Sequence, residues 1–361
     1  MYITMDEGER GELDTLLRGI RAQVHSHPEL SNREFETTKL VQRHLAALGL
    51  EPVELGLPTG AAALLCGGRP GPTVGLRADL DALPVTEQTG APYGSENEGV
   101  MHACGHDVHT SVLLGAAELL TKRREEIAGN ILFLFQPAEE AMVGARHVVE
   151  QGLFQRVKLS ALLSMHVWPQ LPRGEVGLRA GAFFAAVDNF RIVITGRGGH
   201  GCTPNLSRSP IGAGAALALA IPAIKAYDLP PTEPATVAVT LLQAGYCNNV
   251  IPDTCELQGT IRTFSEEARH IVAQRLQELT RSTEAAWGCT GEAEISKGTP
   301  PLVNDEGLEQ VMAGAARTVF GEDTCRTLEP VTISEDFAYY GTQVPSCMAL
   351  LGVGGSAALH N

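Results

Sequence analysis

The sequence is short of basic residues. Its 27 Lys and Arg stand against 42 Asp and Glu, a formal net charge of −15. That balance argues against nucleic acid and anionic membrane surfaces as partners, because both select basic patches. No Cys-x-x-Cys pair is present. The eight cysteines (Cys66, Cys104, Cys202, Cys247, Cys255, Cys289, Cys325 and Cys347) are scattered, and in a chain this large that reads as reduced thiols in a cytoplasmic protein. The opening MYITMDEGERGELD lacks a basic stretch followed by an apolar one, so it does not read as a secretory signal. The longest apolar run, 211–224, is interrupted by Pro222 and reads as too short to span a bilayer. Internal repeats and low-complexity tracts are also missing. What remains is a chain of 361 residues, 44% hydrophobic and 19% charged. This is the composition of a soluble globular protein with roughly two domains, long enough to bury a large core without staples.

Periodicity divides the chain. Leu13, Leu16, Leu17, Ile20 and Val24 recur at helical spacing, and Pro28 ends that helix. Ser31 and Glu34 read as a capping box opening a second helix, with Val41, Leu45 and Leu48 on its apolar face and Gly49 as its stop. Strand-like runs at 62–66, 73–80, 130–136 and 159–167, with a helix at 110–122, predict an α/β fold. Its mixed, largely parallel sheet should be flanked by helices. The pattern changes near 184. An alternating strand at 190–195, an Ala-rich helix at 211–225 and strands at 236–242 and 254–262 come first. A helix at 265–287, capped by Ser265 and stopped by Gly288, and a strand at 291–296 follow. That β-α-β-β-α-β order is the ferredoxin-like α+β sandwich. It predicts an inserted domain at 184–298 and a first domain made of 1–183 and 299–361.

Four segments concentrate chemistry. In Arg77-Ala-Asp-Leu-Asp-Ala-Leu-Pro84, Asp79 and Asp81 are two apart and share one side of a strand; solvated turn carboxylates are the plainer reading. In Met101-His-Ala-Cys-Gly-His-Asp-Val-His109, Cys104 and His106 can offer sulfur and nitrogen to one ion. That combination suits Zn²⁺ and its neighbours rather than Mg²⁺ or Ca²⁺. Glu139 and Glu140, just past a buried strand, diverge and can take different tasks, one holding metal and the other a water. Ser164-Met-His-Val-Trp168 ends an apolar strand on His166, which taken singly reads as a satisfied core histidine. All four segments lie at strand ends of one sheet and so on a common edge.

With these segments in view, GLRADLDALP, MHACGHDVHT, LFQPAEE, SMHVWP, GRGGHG, NVIPD, GTIRT and SEDFAYY, in that order over essentially the whole chain, resemble the M20 metallopeptidase superfamily. More narrowly they are similar to its aminoacylase branch, amidohydrolases acting on N-acyl amino acids, hippurate and indoleacetyl-amino acids. The branch is read from Asp79-Leu-Asp81 where peptidase-like relatives carry His-x-Asp, and from Cys104 where they carry Asp. The resemblance implies two divalent ions, zinc first, with manganese, nickel and cobalt open. Their ligands would be Cys104 (bridging), His106, Glu140, His166 and His360. It implies Glu139 as general base, and His200 as a carbonyl-polarising histidine supplied by the partner subunit. Asn249 and Arg262 would sit near the substrate carboxylate, and the inserted domain would be the lid and the surface of a homodimer.

Three departures from the family pattern stand out. Asn205 and Ser209 occupy positions where relatives carry His and Asp, Ala-Gly-Tyr-Cys-Asn precedes Asn249, and only Asn361 follows His360. The last predicts a more labile ion at His360. A dipeptidase on the same scaffold, an inactive dimeric relative and a cysteine-nucleophile enzyme built on Cys104 and His106 are the alternatives.

Overall fold

The computed structural model describes residues 5–355 and His360. The first four residues of the polar N-terminal segment, and the Asn361 that follows His360, lie outside the described residues. The chain forms two compact units. The first comprises Met1–Gly181, Val303–Glu329 and Asp336–Asn361; the second comprises Ala182–Leu302 and Pro330–Glu335.

The first unit is built on an eight-stranded mixed sheet. Its centre is four parallel strands in the order Ala128–Gln136, Arg69–Asp79, Leu159–Trp168 and Ser346–Gly352. Ala61–Cys66 runs antiparallel beside the first of these, and the short Val176–Leu178 antiparallel beside the last. The strand Ala128–Gln136 has an apolar centre, with Leu132, Phe133, Leu134 and Phe135 fully buried, as expected of a strand covered on both faces. The helices Glu7–Ser26, Phe35–Ala47 and His106–Thr121 pack Ile20, Val24, Val41, Leu45 and Leu114 into one core cluster with Leu65, Phe133 and Phe135. On the other side of the chain's return, Asp305 caps the helix Glu306–Phe320 by accepting from Leu308 N–H.

Two sequence expectations fail here for local reasons. The helix read as 110–122 begins four residues earlier, at His106, because the polar histidines that masked its start point into the protein. The capping box at Ser31 does not form. Phe35–Ala47 has Glu34 at its N-cap with no side-chain hydrogen bond to the helix. Ser31 Oγ instead donates to Asp81 Oδ2 (2.6 Å), and Glu34 Oε1 accepts from Asn32 N–H (2.9 Å) and Ala138 N–H (2.8 Å).

The second unit has a four-stranded antiparallel sheet in the order Ala235–Ala244, Thr254–Thr263, Ala186–Thr195, Thr290–Lys297. With its helices it forms the ferredoxin-like βαββαβ arrangement. Helix Glu266–Trp287 starts at Ser265, whose Oγ accepts from Ala268 N–H, and ends at Gly288 in the left-handed conformation. Segment 330–335 joins this unit because Ala185 N–H donates to Val331 O and Ile333 O, and Ser334 Oγ donates to Ala185 O. Sequence periodicity gave no sign of that return. At the unit's heart, Arg269 grips Asp188 through two hydrogen bonds of 2.7 and 2.6 Å, both groups buried.

The apolar stretch that reads as too short at 211–224 in fact carries helical turns through Pro222. Pro210–Tyr227 is 18 residues and apolar enough to cross a membrane by length and composition. It folds as a helix, Pro210–Ala220, a 3₁₀ turn and a short helix, and packs Ala213, Leu217, Ile221 and Ile224 into the unit's core.

Candidate metal centre

Ligands of open α/β sheets gather outside the carboxyl ends of the parallel strands. In the first unit, Asp79, Gln136 and His166 lie at those ends. Cys104 and His106 reach the same edge from the start of helix His106–Thr121. Gly105 between them has φ +87°, and a Cβ there would fall 2.4 Å from Val167 Cγ2. Only glycine makes the turn that presents both side chains. The amino end of a 16-residue helix also favours negative charge on the thiol beside it.

The predicted ligands converge. Cys104 Sγ lies 3.4 Å from His166 Nε2 and 3.3 Å from His360 Nε2. His360 Nε2 is 3.5 Å from Glu140 Oε2. His106 Nε2 is 3.8 Å from Glu140 Oε1 and 3.9 Å from Glu139 Oε2. Three overlapping donor groups result: Cys104–His106–His166, Cys104–Glu140–His360 and His106–Glu139–Glu140. Cys104, His106 and Glu140 each belong to two of the three, so the groups form one continuous cluster.

Hydrogen bonds decide which imidazoles can bind metal. His106 Nδ1 donates to Asp81 O (2.8 Å), so Nε2, which is buried with no hydrogen-bond partner, is the nitrogen left for a metal. His166 Nδ1 donates to Val167 O (2.7 Å), so its lone pair is also on Nε2, facing the thiol. An imidazole whose second nitrogen donates to a carbonyl is the usual metal ligand. His109 differs. Its Nε2 accepts from Val167 N–H (2.9 Å) and its Nδ1 meets Asp79 Oδ1 (2.6 Å). Both nitrogens are used, so His109 is a strut, although it clusters with Asp79 and His106. His102 is buried and belongs to none of the donor groups among the described residues. Glu140 Oε1 is a second buried atom without a hydrogen-bond partner. Unpartnered buried polar atoms are costly, and a cation answers all of them at once. The donor set of one sulfur, three imidazole nitrogens and carboxylate oxygen fits zinc-like ions.

Charge points the same way. Burial opposes charge on His106, but Asp79 and Asp81 outweigh it and hold its pKa well above the ordinary value. The centre therefore favours positive charge at that position. Burial, with His109 beside it, keeps the His166 pKa well below normal and the ring neutral. Burial also raises Glu140 to about 7, helped by Asp81 and Asp79 and opposed by His106. A cation at Oε1 would keep it ionised.

The two aspartates are not solvated turn carboxylates: both are buried. Asp81 accepts from the backbone N–H of Glu139 and of Glu140, each at 3.0 Å, and from Ser31. It fixes the glutamate pair by its main chain. Asp79 is held by Arg77 Nη1 (2.7 Å) and in turn holds His109. Asp336, from SEDFAYY, accepts from Gln136 Nε2 (2.8 Å) and Ala145 N–H (2.9 Å). Sequence reasoning missed these supporting roles. Their only signal was the presence of acids in the segments that carry the site.

The remaining site candidates lie in the second unit. His200 is exposed on the two-residue strand Gly199–His200, which pairs with Val250–Ile251, and its Nδ1 accepts from Cys202 N–H (3.1 Å). Asn249 is its neighbour in that ladder: Gly201 N–H donates to Asn249 O (2.8 Å). Arg262 is half-buried, donates to Thr260 Oγ1 and has the charge of Asp188 nearby. Its Nη1 also donates to Ile261 O (3.0 Å).

A sheet edge that gathers a thiol, three imidazoles and paired glutamates defines a metal-dependent hydrolase with a two-ion centre. Residues 75–361 match the model for peptidase family M20/M25/M40. The chain is 40% identical over 351 residues to an N-acetyl-L-cysteine deacetylase of Bacillus subtilis, covering 97% of this chain and 83% of that one. It is 39% identical to an N-acyl-L-amino acid amidohydrolase of Geobacillus stearothermophilus, over 82% of this chain and 80% of that one. Among solved structures, a dinuclear metal-binding M20 peptidase of Bacillus subtilis superposes with a TM-score of 0.87 at 37% identity, covering 97% and 92% of the two chains. The chain belongs to peptidase family M20/M25/M40.

Proposed function

We propose that this chain is an amidohydrolase that cleaves N-acyl amino acids to a carboxylic acid and a free amino acid. The observation that carries the reading is the convergence of His166 Nε2 and His360 Nε2 on Cys104 Sγ, beside the paired Glu139 and Glu140. The deacetylase and amidohydrolase names of the relatives support the substrate class. Cys104, His106, Glu140, His166 and His360 would hold two divalent ions, zinc first, with manganese, nickel and cobalt as alternatives. When bound, such ions supply Lewis acidity, which polarises a carbonyl and brings water toward deprotonation near neutral pH. Glu139 then takes a proton from the attacking water and returns it to the leaving amide nitrogen, so that acid and amine are released. Arg262 offers a bidentate grip for the amino-acid carboxylate, with Asn249 beside it.

The reading extends to the assembly. The second unit, at the 184–298 lid of the sequence reading, would be the surface of a homodimer, and His200 would donate to the developing oxyanion in the partner's centre, a role typically worth about 10²–10³-fold. Eight unpaired thiols support a cytoplasmic setting.

Two measurements test this. In a substrate panel, N-acetyl and N-benzoyl amino acids should be hydrolysed at least about tenfold faster, in kcat/KM, than dipeptides with free amino ends, a margin of about 1.4 kcal/mol in transition-state binding. Preference for the dipeptides would make the chain a dipeptidase; no turnover of either would make it an inactive relative. The dimer is tested by mixing. Glu139→Gln and His200→Ala should each be nearly inactive alone, and subunit exchange between them should restore activity. The heterodimer would contain one centre with both an intact Glu139 and an intact His200. No recovery despite demonstrated heterodimers would place His200 outside the reaction or in its own chain's centre.

A further inference from the structure

The loop that carries Glu139 and Glu140 is folded against its own preference. Ala138 has φ +56° and Met142 φ +55°, the left-handed region that residues with a Cβ seldom occupy. Such backbone persists only where the surroundings over-determine it. Three buried carboxylates, from three distant segments, do so here. Glu34 Oε1 accepts from Ala138 N–H (2.8 Å), Asp81 accepts from Glu139 and Glu140 N–H, and Asp336 Oδ2 accepts from Ala145 N–H (2.9 Å). Gly144 N–H closes the loop on Ala138 O (3.0 Å).

Glu34 differs from the other two. Asp81 also borders His106, and Asp336 also binds Gln136 and Arg77. The Glu34 carboxylate has Thr59 beside it, but its Oε1 serves backbone, accepting from Ala138 N–H and Asn32 N–H. Asn32 is itself left-handed at φ +64°. One buried oxygen therefore joins two left-handed residues far apart in sequence, and one of them immediately precedes Glu139.

We propose that Glu34 is a positioning residue: by pinning Ala138 N–H it holds the left-handed turn that sets the Glu139 carboxylate over its water. This rests on the reading of Glu139 as the general base. Losing the pin lets Ala138 relax toward ordinary backbone, which rotates the peptide carrying Glu139. A displacement of about 1 Å at a catalytic group can cost about 10²-fold.

The test compares Glu34→Ala, Glu34→Gln and Glu34→Ala combined with Ala138→Gly. Glu34→Ala should lower kcat by about 10- to 100-fold with KM and metal stoichiometry unchanged. In metal-free protein it should speed amide exchange across 137–145 by about tenfold or more. Glu34→Gln keeps an oxygen acceptor and should restore both readouts to within about threefold of wild type. Ala138→Gly, which adopts positive φ without strain, should recover part of the lost kcat in the Glu34→Ala background. If Glu34→Ala is too unstable to assay, Glu34→Asp, one methylene short of Ala138 N–H, provides the same readouts. The proposal is overturned if exchange is unchanged, if Gln is as damaging as Ala, or if kcat falls only in step with metal. Faster exchange with unchanged kcat also overturns it. Glu139→Gln assayed alongside then separates the two readings: an inactive variant leaves the base assignment standing, an active one removes it.

Discussion

Glu139→Gln should lower kcat by about 10²–10⁴-fold while leaving metal content at the wild-type level. Glutamine preserves the size of the side chain and its acceptor oxygen but cannot take the proton of water. The backbone of Glu139 is fixed by Asp81, and the side chain, buried at the sheet edge, comes within 3.9 Å of His106 Nε2. Removing charge there leaves the other donors where they are. Glu140→Ala should do the opposite. Its Oε2 is 3.5 Å from His360 Nε2, and its Oε1 is a buried atom with no hydrogen-bond partner. Its loss should cost metal first and turnover as a consequence. Metal analysis beside steady-state kinetics reads both variants. A Glu139→Gln enzyme that has lost its metal, or a Glu140→Ala enzyme that is fully loaded but dead, would exchange the two roles.

What was legible in the sequence was chemistry that clusters locally. Cys104 and His106 are two residues apart, Glu139 and Glu140 are adjacent, and each pair announces itself. The second unit was legible for a similar reason. Its strands alternate, and its long helix has a capping Ser265 and a terminating Gly288, so local rules and tertiary packing agree. Illegible were the contacts that join distant segments. Ser31 and Glu34 satisfy the spacing of a capping box, yet their side chains serve Asp81 and Ala138, and the helix's first N–H groups, of Glu36 and Thr37, are taken instead by the carboxylate of Glu29 (3.1 and 2.8 Å). His109 looks as much a ligand as His106 in sequence. Only the Val167 N–H on its Nε2 disqualifies it. The short strand Val176–Leu178, paired on both sides, and the return of 330–335 to the second unit depend on pairing across the chain, which no local period encodes.

Cys104→Ser should strip the centre of metal and with it nearly all turnover. Cys104 lies within 3.4 Å of two of the histidine ligands, His166 and His360, and belongs to two of the three donor groups. A hydroxyl is a poor ligand for a zinc-like ion, and its alkoxide is out of reach at neutral pH, so the loss is one of ligand chemistry rather than of packing volume. The same thiol makes metal uptake depend on pH. Burial raises its pKa well above the ordinary thiol value, with the nearby Glu140 and Glu139 adding to the rise and His106 opposing it. The metal-free protein therefore holds Cys104 protonated at neutral pH. Binding must expel that proton and the one that the raised His106 holds, and Glu140, raised to about 7, gives up a further fraction of one. Affinity should accordingly climb with pH, by about tenfold per unit for each proton released. Titration calorimetry in buffers of different ionisation enthalpy counts the protons directly. Wild type should release more than one proton per centre near pH 7, and Cys104→Ser should release about one fewer while binding far more weakly. Release that is the same in both would show that the thiol is not the ligand whose proton the ion displaces, and a serine variant that keeps its full metal content would remove Cys104 from the centre.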